Sequence, residues 1–389
     1  MRIGMDISAL PCPTFIKSSI ENIASRHHSL HIFTQVKGAY TFENSSIYIH
    51  QRPKKAIPTF VVFFQNIFKL LLKSPARALH IWKHYSSLNF YSRIKEFNRI
   101  APFYIYTLDV IHIQWLKSII KLQYILENKP CPIIVSVRGT QMFVSPQADN
   151  EIHRKYLELL PKVHAVHVVS EALKKEVSLY THSPVYLINA AIDIGFFEYK
   201  KPSINTNEIL QLVSVTRFNW IKGLSILLDA IYILKQKSIR LKLTIITSDM
   251  PNEEFIYQIA DLDLKNEIEI KNRLSPKQIH KELLKNDLFV LPSISEGRSN
   301  AILEAMSSGV PVLCSNFNGA DDLIVDHYNG MLFNNGDSND LAQKIELYFQ
   351  KSNTEKINIA ENARTIIESS YNIDSQTNEF INLYNRFVK

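Results

Sequence analysis

The sequence has few glycines, and their spacing excludes several nucleotide-binding loops. Only 10 of the 389 residues are glycine. No two of them lie two positions apart, which excludes the Gly-x-Gly-x-x-Gly loops of dinucleotide-binding proteins and protein kinases. No glycine precedes a lysine, which excludes the P-loop of nucleoside triphosphatases. A phosphate-binding function would therefore need a different kind of loop.

Cysteine and metal-binding motifs are also scarce. The three cysteines, Cys12, Cys131 and Cys314, are far apart, and no Cys-x-x-Cys occurs. This pattern favours neither a disulfide framework nor a cysteine zinc site, and it fits a reducing compartment. His-Glu-x-x-His is absent, and the 13 histidines show no ligand spacing. We therefore expect no cofactor and a metal-independent activity.

The charge of the chain is unevenly distributed. Residues 1–200 contain 24 Lys and Arg against 13 Asp and Glu, a net charge of +11. The remainder contains 20 against 24, a net charge of −4, and the two sum to +7. The N-terminus runs directly into an apparent strand without a signal-peptide region, and no uninterrupted apolar run reaches the ~18 residues of a membrane span. We expect a cytoplasmic protein with no nucleic-acid partner.

The order of predicted elements indicates two α/β domains. Short apolar strands alternate with helices in both halves of the chain, which is typical of doubly wound parallel sheets of the Rossmann type. We predict an N-terminal domain over residues 1–198, a polar linker over 199–208 and a C-terminal domain over 209–373. A helix at about 374–389 is expected to pack back on the N-terminal domain.

One polar elbow joins a buried strand to a helix in the C-terminal domain. The strand ends at Pro292, and the helix follows Ser299 and Asn300. A helix that begins there points free backbone N–H groups and a partial positive charge into the elbow, which favours a phosphate. Glu296 precedes that end, and Glu304 lies ~6 Å along the axis beyond Asn300. Their carboxylates would accept hydrogen bonds from hydroxyl groups.

A second polar loop follows the first strand of the same domain. Arg217 and Lys222 bracket a turn that ends at Gly223. Ligands bind at the carboxyl edge of open parallel sheets, where this turn is expected to lie. The alternative is a surface arginine and lysine beside a helix start.

These two loops carry a resemblance to a known family. The run SEGRSNAILEAMSSGVPVLCSNFNGADDLI, with Glu296 and Glu304 separated by seven residues, is similar to the E-x7-E element of retaining family-4 GT-B glycosyltransferases. Arg217 to Gly223 resembles their Arg-x4-Lys-Gly element. The resemblance implies two domains facing a cleft. It also implies that a sugar moves from a nucleotide-sugar donor to a glycan or lipid-linked acceptor, with retention, in surface polysaccharide biosynthesis.

The resemblance also implies roles for individual residues. Arg217 and Lys222 would hold the donor diphosphate and Glu296 the sugar hydroxyls, which makes these three the candidate catalytic residues. Glu304 would bind the ribose. The other residues implied in donor binding are Thr216, Arg273, Leu274, Gly297, Arg298, Ser299 and Asn300. Arg138, at the end of a predicted strand, is a candidate contact to a phosphate of donor or acceptor; pairing with a neighbouring acid is the alternative.

The sequence departs from the family at several points. The loop Ser8–Thr14 lacks the usual glycine pair, and Ala320 and Asp322 replace the second glycine and the glutamate of a Gly-Gly-x-x-Glu loop. We assign Asp322 no catalytic role. Asp261-Leu262-Asp263 matches the metal motif of GT-A enzymes, but we interpret it as a solvated loop. Two alternatives stay open, a catalytically silent binding module and an epimerase that acts on the nucleotide sugar alone.

The most apolar stretch, Ile57–Leu72, lies in the basic half of the chain. As a helix it would place Val61, Phe64, Phe68 and Leu71 on one face, broadened by Phe60, Phe63, Ile67 and Leu70. Lysine and arginine residues flank it, as in helices that lie on anionic membranes. We predict peripheral association with the inner face of the cytoplasmic membrane; a buried core helix is the alternative.

Overall fold

The computed structural model describes residues 1–36, 40–202 and 209–388, and these divide into two compact units. Unit 1 comprises Met1–Val169, Leu173–Ile188 and Gln376–Lys389. Unit 2 comprises Ser170–Ala172 and Asn189–Ser375. Residues 203–208 of the predicted linker lie outside the described residues.

Unit 1 contains a parallel sheet with the order β3-β2-β1-β4-β5-β6-β7. Its strands are β1 (Arg2–Leu10), β2 (Ser29–Val36), β3 (Ile47–Gln51), β4 (Val110–Ile113), β5 (Ile133–Val137), β6 (Ala165–Val168) and β7 (Val185–Leu187). Every residue of β4, β5 and β6 is buried, because helices cover both faces of a doubly wound sheet.

Unit 2 contains a second parallel sheet with the order β10-β9-β8-β11-β12-β13. Its strands are β8 (Leu210–Val215), β9 (Leu241–Thr247), β10 (Ile268–Asn272), β11 (Leu288–Leu291), β12 (Val312–Ser315) and β13 (Met331–Phe333). Two apolar clusters lie against this sheet. The predicted fold class, a pair of doubly wound parallel sheets, is confirmed.

The helices surround these sheets. The first ten are α1 (Thr14–Ser25), α2 (Ala56–Lys73), α3 (Pro75–His84), α4 (Phe90–Ile100), α5 (Pro102–Ile105), α6 (Ser118–Lys121), α7 (Gln123–Glu127), α8 (Thr140–Phe143), α9 (Ser145–Ala148) and α10 (Asn150–Leu159). The others are α11 (Glu171–Val177), α12 (Leu224–Gln236), α13 (Glu253–Asp261), α14 (Pro276–Leu283), α15 (Asn300–Ser308), α16 (Ser338–Gln350), α17 (Asn353–Ser370) and α18 (Ile373–Asn385). Phe380, Leu383 and Tyr384 of α18 belong to the apolar core of unit 1.

Candidate active site

The two motif-bearing loops of unit 2 emerge at the same edge of its sheet. β8 and β11 are neighbours and parallel, so their carboxyl ends lie side by side. The loop after β8 carries Thr216 and Arg217 and closes with a 3-10 turn at Trp220–Lys222. The loop after β11 is the elbow that leads into α15. This edge is where open α/β sheets bind ligands.

Gly223 allows the two loops to pack against each other. Its φ of +62° lies in the left-handed region, and a Cβ atom there would sit 2.0 Å from the carbonyl oxygen of Pro292. The backbone N–H of Ile294 also donates to the carbonyl of Ile221 at 2.8 Å. Only glycine fits this conformation at this separation without strain, so Gly223 sets the distance between the Arg-x4-Lys turn and the elbow.

Lys222 and Glu296 form an ion pair across these two loops. The Lys222 ammonium donates to Glu296 Oε1, and the Ser293 hydroxyl donates to the same oxygen at 3.1 Å. The side chains of the pair are only 16% and 13% exposed, so the attraction is less screened than at an open surface. Two residues separated by 74 positions in sequence thus share one site.

Glu304 lies one turn inside α15 without such a partner. Burial raises the pKa of its carboxyl group from 4.5 to about 7, and desolvation is the sole cause. Among the described residues, no cation forms a salt bridge with it. A desolvated carboxylate of this kind is stabilised when hydroxyl donors reach it.

The N-terminus of α15 offers backbone donors to the same region. Ser299 precedes the helix in an extended conformation and makes no side-chain capping bond. Gly297 and Ser299 are buried, while Asn300 is partly accessible. The first N–H groups of a helix have no intrahelical acceptor, so this nine-residue helix presents them at its start.

Arg298 has other contacts than those expected of a donor-binding side chain. Its guanidinium donates to the Gly319 carbonyl at 3.0 Å and lies 3.5 Å from Asp322 Oδ2. The same Asp322 oxygen accepts the backbone N–H of Glu171 at 2.8 Å. These contacts connect Arg298 and Asp322 to the loop around Gly319. The predicted role of Arg298 in donor binding stays a prediction.

The remaining predicted donor residues lie on neighbouring loops of the same sheet edge. Arg217 is exposed directly after β8, and Thr216 Oγ1 is buried with no hydrogen-bond partner among the described residues. Arg273 follows β10 with a φ of +55°, and its N–H donates to Thr247 at 2.8 Å. Leu274 packs on an apolar cluster of unit 2. Arg138 belongs to unit 1 and lies at the end of β5.

Metal-ligating side chains do not cluster in the part of the chain that the structure describes. Within residues 1–36, 40–202 and 209–388, no group of three His, Cys, Asp or Glu side chains is placed to hold a metal ion. The expectation of a metal-independent reaction stays a prediction.

Comparison with known proteins identifies the motif-bearing unit. Residues 197–366 match the family described as Glycosyl transferases group 1. The chain is 31% identical over 169 residues to the amylovoran biosynthesis glycosyltransferase AmsK of Erwinia amylovora, covering 42% of this chain and 41% of the relative. It is also 31% identical over 157 residues to an Escherichia coli UDP-Gal:alpha-D-GlcNAc-diphosphoundecaprenol alpha-1,3-galactosyltransferase, covering 39% of each. Each match thus spans about two fifths of the relative's own length.

A solved structure matches the fold of this protein over the whole chain. A glycosyltransferase from Rickettsia africae matches 100% of this chain, and the match covers 98% of that protein, with a TM-score of 0.72 and 16% identity. At this identity the match shows the fold, and it agrees with the predicted GT-B class. The family match covers residues 197–366, the part of the chain that carries both motif-bearing loops.

Proposed function

We propose that this protein is a glycosyltransferase that moves a sugar from a nucleotide-sugar donor to a glycan or lipid-linked acceptor in surface polysaccharide biosynthesis. The observation that carries this proposal is the convergence of two loops at one sheet edge. They bring Lys222 and Glu296 into contact. The contact of Gly223 with Pro292 fixes their spacing. A nucleotide sugar is a diphosphate that joins two hydroxyl-bearing groups. The site offers two cations and a helix N-terminus for the diphosphate, and two carboxylates for the hydroxyl groups.

Each side chain has a distinct role in this proposal. Arg217 and Lys222 bind the donor diphosphate together with the amides near Ser299 and Asn300. Glu304 accepts hydrogen bonds from the ribose, and Glu296 accepts them from the transferred sugar. The charge on the diphosphate grows as the bond to the sugar breaks, so cations placed there stabilise the transition state.

The Lys222–Glu296 pair gives the free site a defined starting state. A donor diphosphate competes with Glu296 for the Lys222 ammonium, and exchange of that contact frees the carboxylate for the sugar. We propose transfer with retention. The bond from the anomeric carbon to the diphosphate breaks, and the acceptor oxygen bonds to that carbon on the same face. The acceptor proton passes to the leaving phosphate oxygen. No metal ion is assigned a step.

Donor binding can be tested by thermal unfolding against a panel of nucleotide sugars. A donor at 100 times its dissociation constant should stabilise the fold by ~2.7 kcal/mol. Lys222→Ala should lose this response, and Lys265→Ala, an exposed lysine of the same unit, should retain it. Product analysis without acceptor separates the alternatives, because an epimerase converts the nucleotide sugar alone and a silent module converts nothing. No response to any nucleotide sugar would contradict the proposal.

The acceptor class points toward a membrane. One relative's name specifies a diphosphoundecaprenol-linked sugar, and another specifies amylovoran biosynthesis. We propose a lipid-linked acceptor for this chain and peripheral attachment of the cytoplasmic enzyme to an anionic membrane.

The exposed face of α2 supports that attachment. Ile57, Phe64, Phe68 and Leu72 are 79%, 65%, 64% and 73% exposed. The opposite face of α2 packs against the rest of unit 1, and its Phe63 and Leu70 are buried there. Only 22% of α2 is buried, which supports a surface helix over the alternative of a buried core helix.

Buried polar contacts favour an α2 that lies on the membrane surface over an α2 that crosses the membrane. Among the described residues, α2 alone is long and apolar enough to span a membrane, with a mean hydropathy of 1.4. However, buried Asn66 donates to Asn98 of α4 at 3.1 Å, and Asn98 donates to the Thr59 carbonyl at 2.9 Å. These contacts hold α2 in unit 1. Exposed Lys54, Lys55 and Lys69 add ~1 kcal/mol each near an anionic leaflet.

Liposome flotation tests this attachment. The protein should float with anionic vesicles at low salt and be released at high salt, because headgroup attraction is screened. The double variant Phe64→Ser and Phe68→Ser should not float. Leu179→Ser, which changes an apolar residue that is 71% exposed elsewhere in unit 1, should float normally. A folded, active protein that stays unbound at low salt would refute the attachment, and binding that resists high salt and alkaline extraction would indicate a spanning helix.

A further inference from the structure

Arg138 occupies a distinctive place at the carboxyl edge of the unit 1 sheet. It follows β5 directly, and Gly139 turns the chain sharply with a φ of +117°, a conformation that favours glycine. The neighbouring strand β4 ends one residue before Gln114. The Arg138 guanidinium donates to Gln114 Oε1 at 2.7 Å, so the ends of two adjacent strands hold it in place.

Arg138 is a half-buried cation, and none of its contacts among the described residues is to a carboxylate. Its Nε atom is buried with no hydrogen-bond partner, and no carboxylate pairs with it, among the described residues. Burial lowers the pKa of Arg138 to about 10, although Tyr384 opposes this shift. Asp6 lies on β1, on the other side of β4, and is already paired with Arg52 at 2.6 Å. A desolvated charge of this kind is costly unless an anion neutralises it.

The polar groups beneath Arg138 do not supply that anion. The Ser136 hydroxyl lies 3.4 Å from the guanidinium and contacts His112 and His167 at 2.7 Å each. Burial lowers the pKa of His167 to about 3 and that of His112 well below its ordinary value, so both rings stay neutral at pH 7. The network therefore orients Arg138 and leaves its charge uncompensated.

The N-terminus of α1 lies beside the same guanidinium. Phe15, in the first turn of this 12-residue helix, places its ring 5.1 Å from the guanidinium carbon of Arg138. The first turn has no acidic residue and no side-chain cap, so its backbone N–H groups add a partial positive charge. Trp115 packs edge-on against Phe15 at 6.4 Å and extends the apolar wall.

We propose that Arg138, Gln114 and the N-terminus of α1 form a binding site for the phosphate of a lipid-linked acceptor, with Phe15 and Trp115 beside the first part of its apolar chain. This site rests on the proposed function, in which the donor diphosphate binds Arg217 and Lys222 of unit 2. The second possible source of a phosphate is the donor itself, and the test below distinguishes the two.

Thermal unfolding with farnesyl diphosphate or UDP as the probe tests the site without turnover. Farnesyl diphosphate should stabilise the wild type and Lys222→Ala, and its dissociation constant should rise about 10- to 100-fold in Arg138→Gln, the scale for a hydrogen bond to a charged group. UDP should stabilise the wild type and Arg138→Gln, and its binding should be weakened in Lys222→Ala. Arg154→Gln, an exposed arginine of the same unit, is the control and should bind both probes normally.

Each other outcome of this experiment overturns the site. Equal binding of farnesyl diphosphate by wild type and Arg138→Gln, or no binding by the wild type, refutes it. Loss of the farnesyl diphosphate response in Lys222→Ala alone assigns the phosphate to the donor loops instead. If Arg138→Gln does not fold, Arg138→Lys is the test variant, because it keeps the charge but loses the planar, multi-donor guanidinium. Unchanged affinity for farnesyl diphosphate in that variant refutes the site. A UDP response that is lost in Lys222→Ala and kept in the Arg138 variants leaves the proposed transferase function intact, so the two failures are distinguishable.

Discussion

Glu304 provides a prediction that links stability to donor binding. Its carboxyl group has a pKa of about 7 in the folded protein against an ordinary value of 4.5, because burial disfavours the charged form. A carboxyl group whose pKa is raised on folding stabilises the fold below pH 4.5, and that contribution is lost as the pH rises through 7. The difference corresponds to at most about 3 kcal/mol at pH 8.

The variant Glu304→Gln removes this charge while keeping the shape of the side chain. We expect it to match the wild type near pH 5 and to be more stable than the wild type at pH 8, by up to about 3 kcal/mol, when no nucleotide is present. Urea unfolding at the two pH values measures the difference. Glu254→Gln, an exposed glutamate of unit 2, is the control and should shift little between them. A variant that is no more stable than the wild type at pH 8 would refute the uncompensated burial of Glu304.

Nucleotide binding supplies the second half of this prediction. In the proposed binding mode the ribose hydroxyls donate to the ionised carboxylate of Glu304, so the affinity of the wild type for a nucleoside diphosphate should rise between pH 6 and pH 8. Glu304→Gln should bind more weakly, with a flatter pH profile, in titration calorimetry. A residue that destabilises the free protein at pH 8 and is needed for ligand would be typical of a binding site.

Three further predictions concern the two loops. Arg217→Ala or Lys222→Ala should cost ~2–4 kcal/mol of transition-state stabilisation in kcat/KM, and activity within threefold of wild type in both would remove them from the mechanism. In titration calorimetry, Glu296→Gln should lower the affinity for the nucleotide sugar and leave the affinity for the nucleoside diphosphate nearly unchanged. Equal losses of affinity for both ligands would contradict the assignment of Glu296 to the sugar. Gly223→Ala should lower the melting temperature more than Gly336→Ala, because both have positive φ but only Gly223 faces a backbone oxygen at 2.0 Å; Gly336 has nothing within 4 Å. Equal effects of the two would show that the loops do not need this close approach.

Much of the fold could be predicted from periodicity and spacing. The buried strand predicted to end at Pro292 corresponds to β11, and the helix predicted to follow Ser299 and Asn300 corresponds to α15. Buried parallel strands are short apolar runs, so their positions are visible without contacts. β13 has only three residues, Met331–Phe333, which is too short to show a period in the sequence. The apolar positions of α17 form only a weak stripe, so the sequence indicates this helix poorly.

The candidate site was predictable in its residue types but not in its contacts. The seven-residue spacing relates Glu296, in the elbow, to Glu304, in α15, but nothing in the sequence pairs Lys222 with Glu296. That contact depends on the order of β8 and β11 in the sheet. The same holds for Arg298, whose guanidinium contacts Gly319. The exposure of α2 could not be predicted from the sequence, because an apolar helix has the same sequence pattern whether its face is buried or exposed.

The most direct measurement of the central proposal is transfer of a labelled sugar from each of a panel of nucleotide sugars to lipid-linked acceptors by the purified full chain. The proposal predicts that one donor gives acceptor-dependent incorporation, that Lys222→Ala and Glu296→Gln abolish or strongly reduce it, and that Lys265→Ala retains it. Incorporation that survives unchanged in Lys222→Ala and Glu296→Gln, or conversion of the labelled nucleotide sugar without transfer to any acceptor, would contradict it.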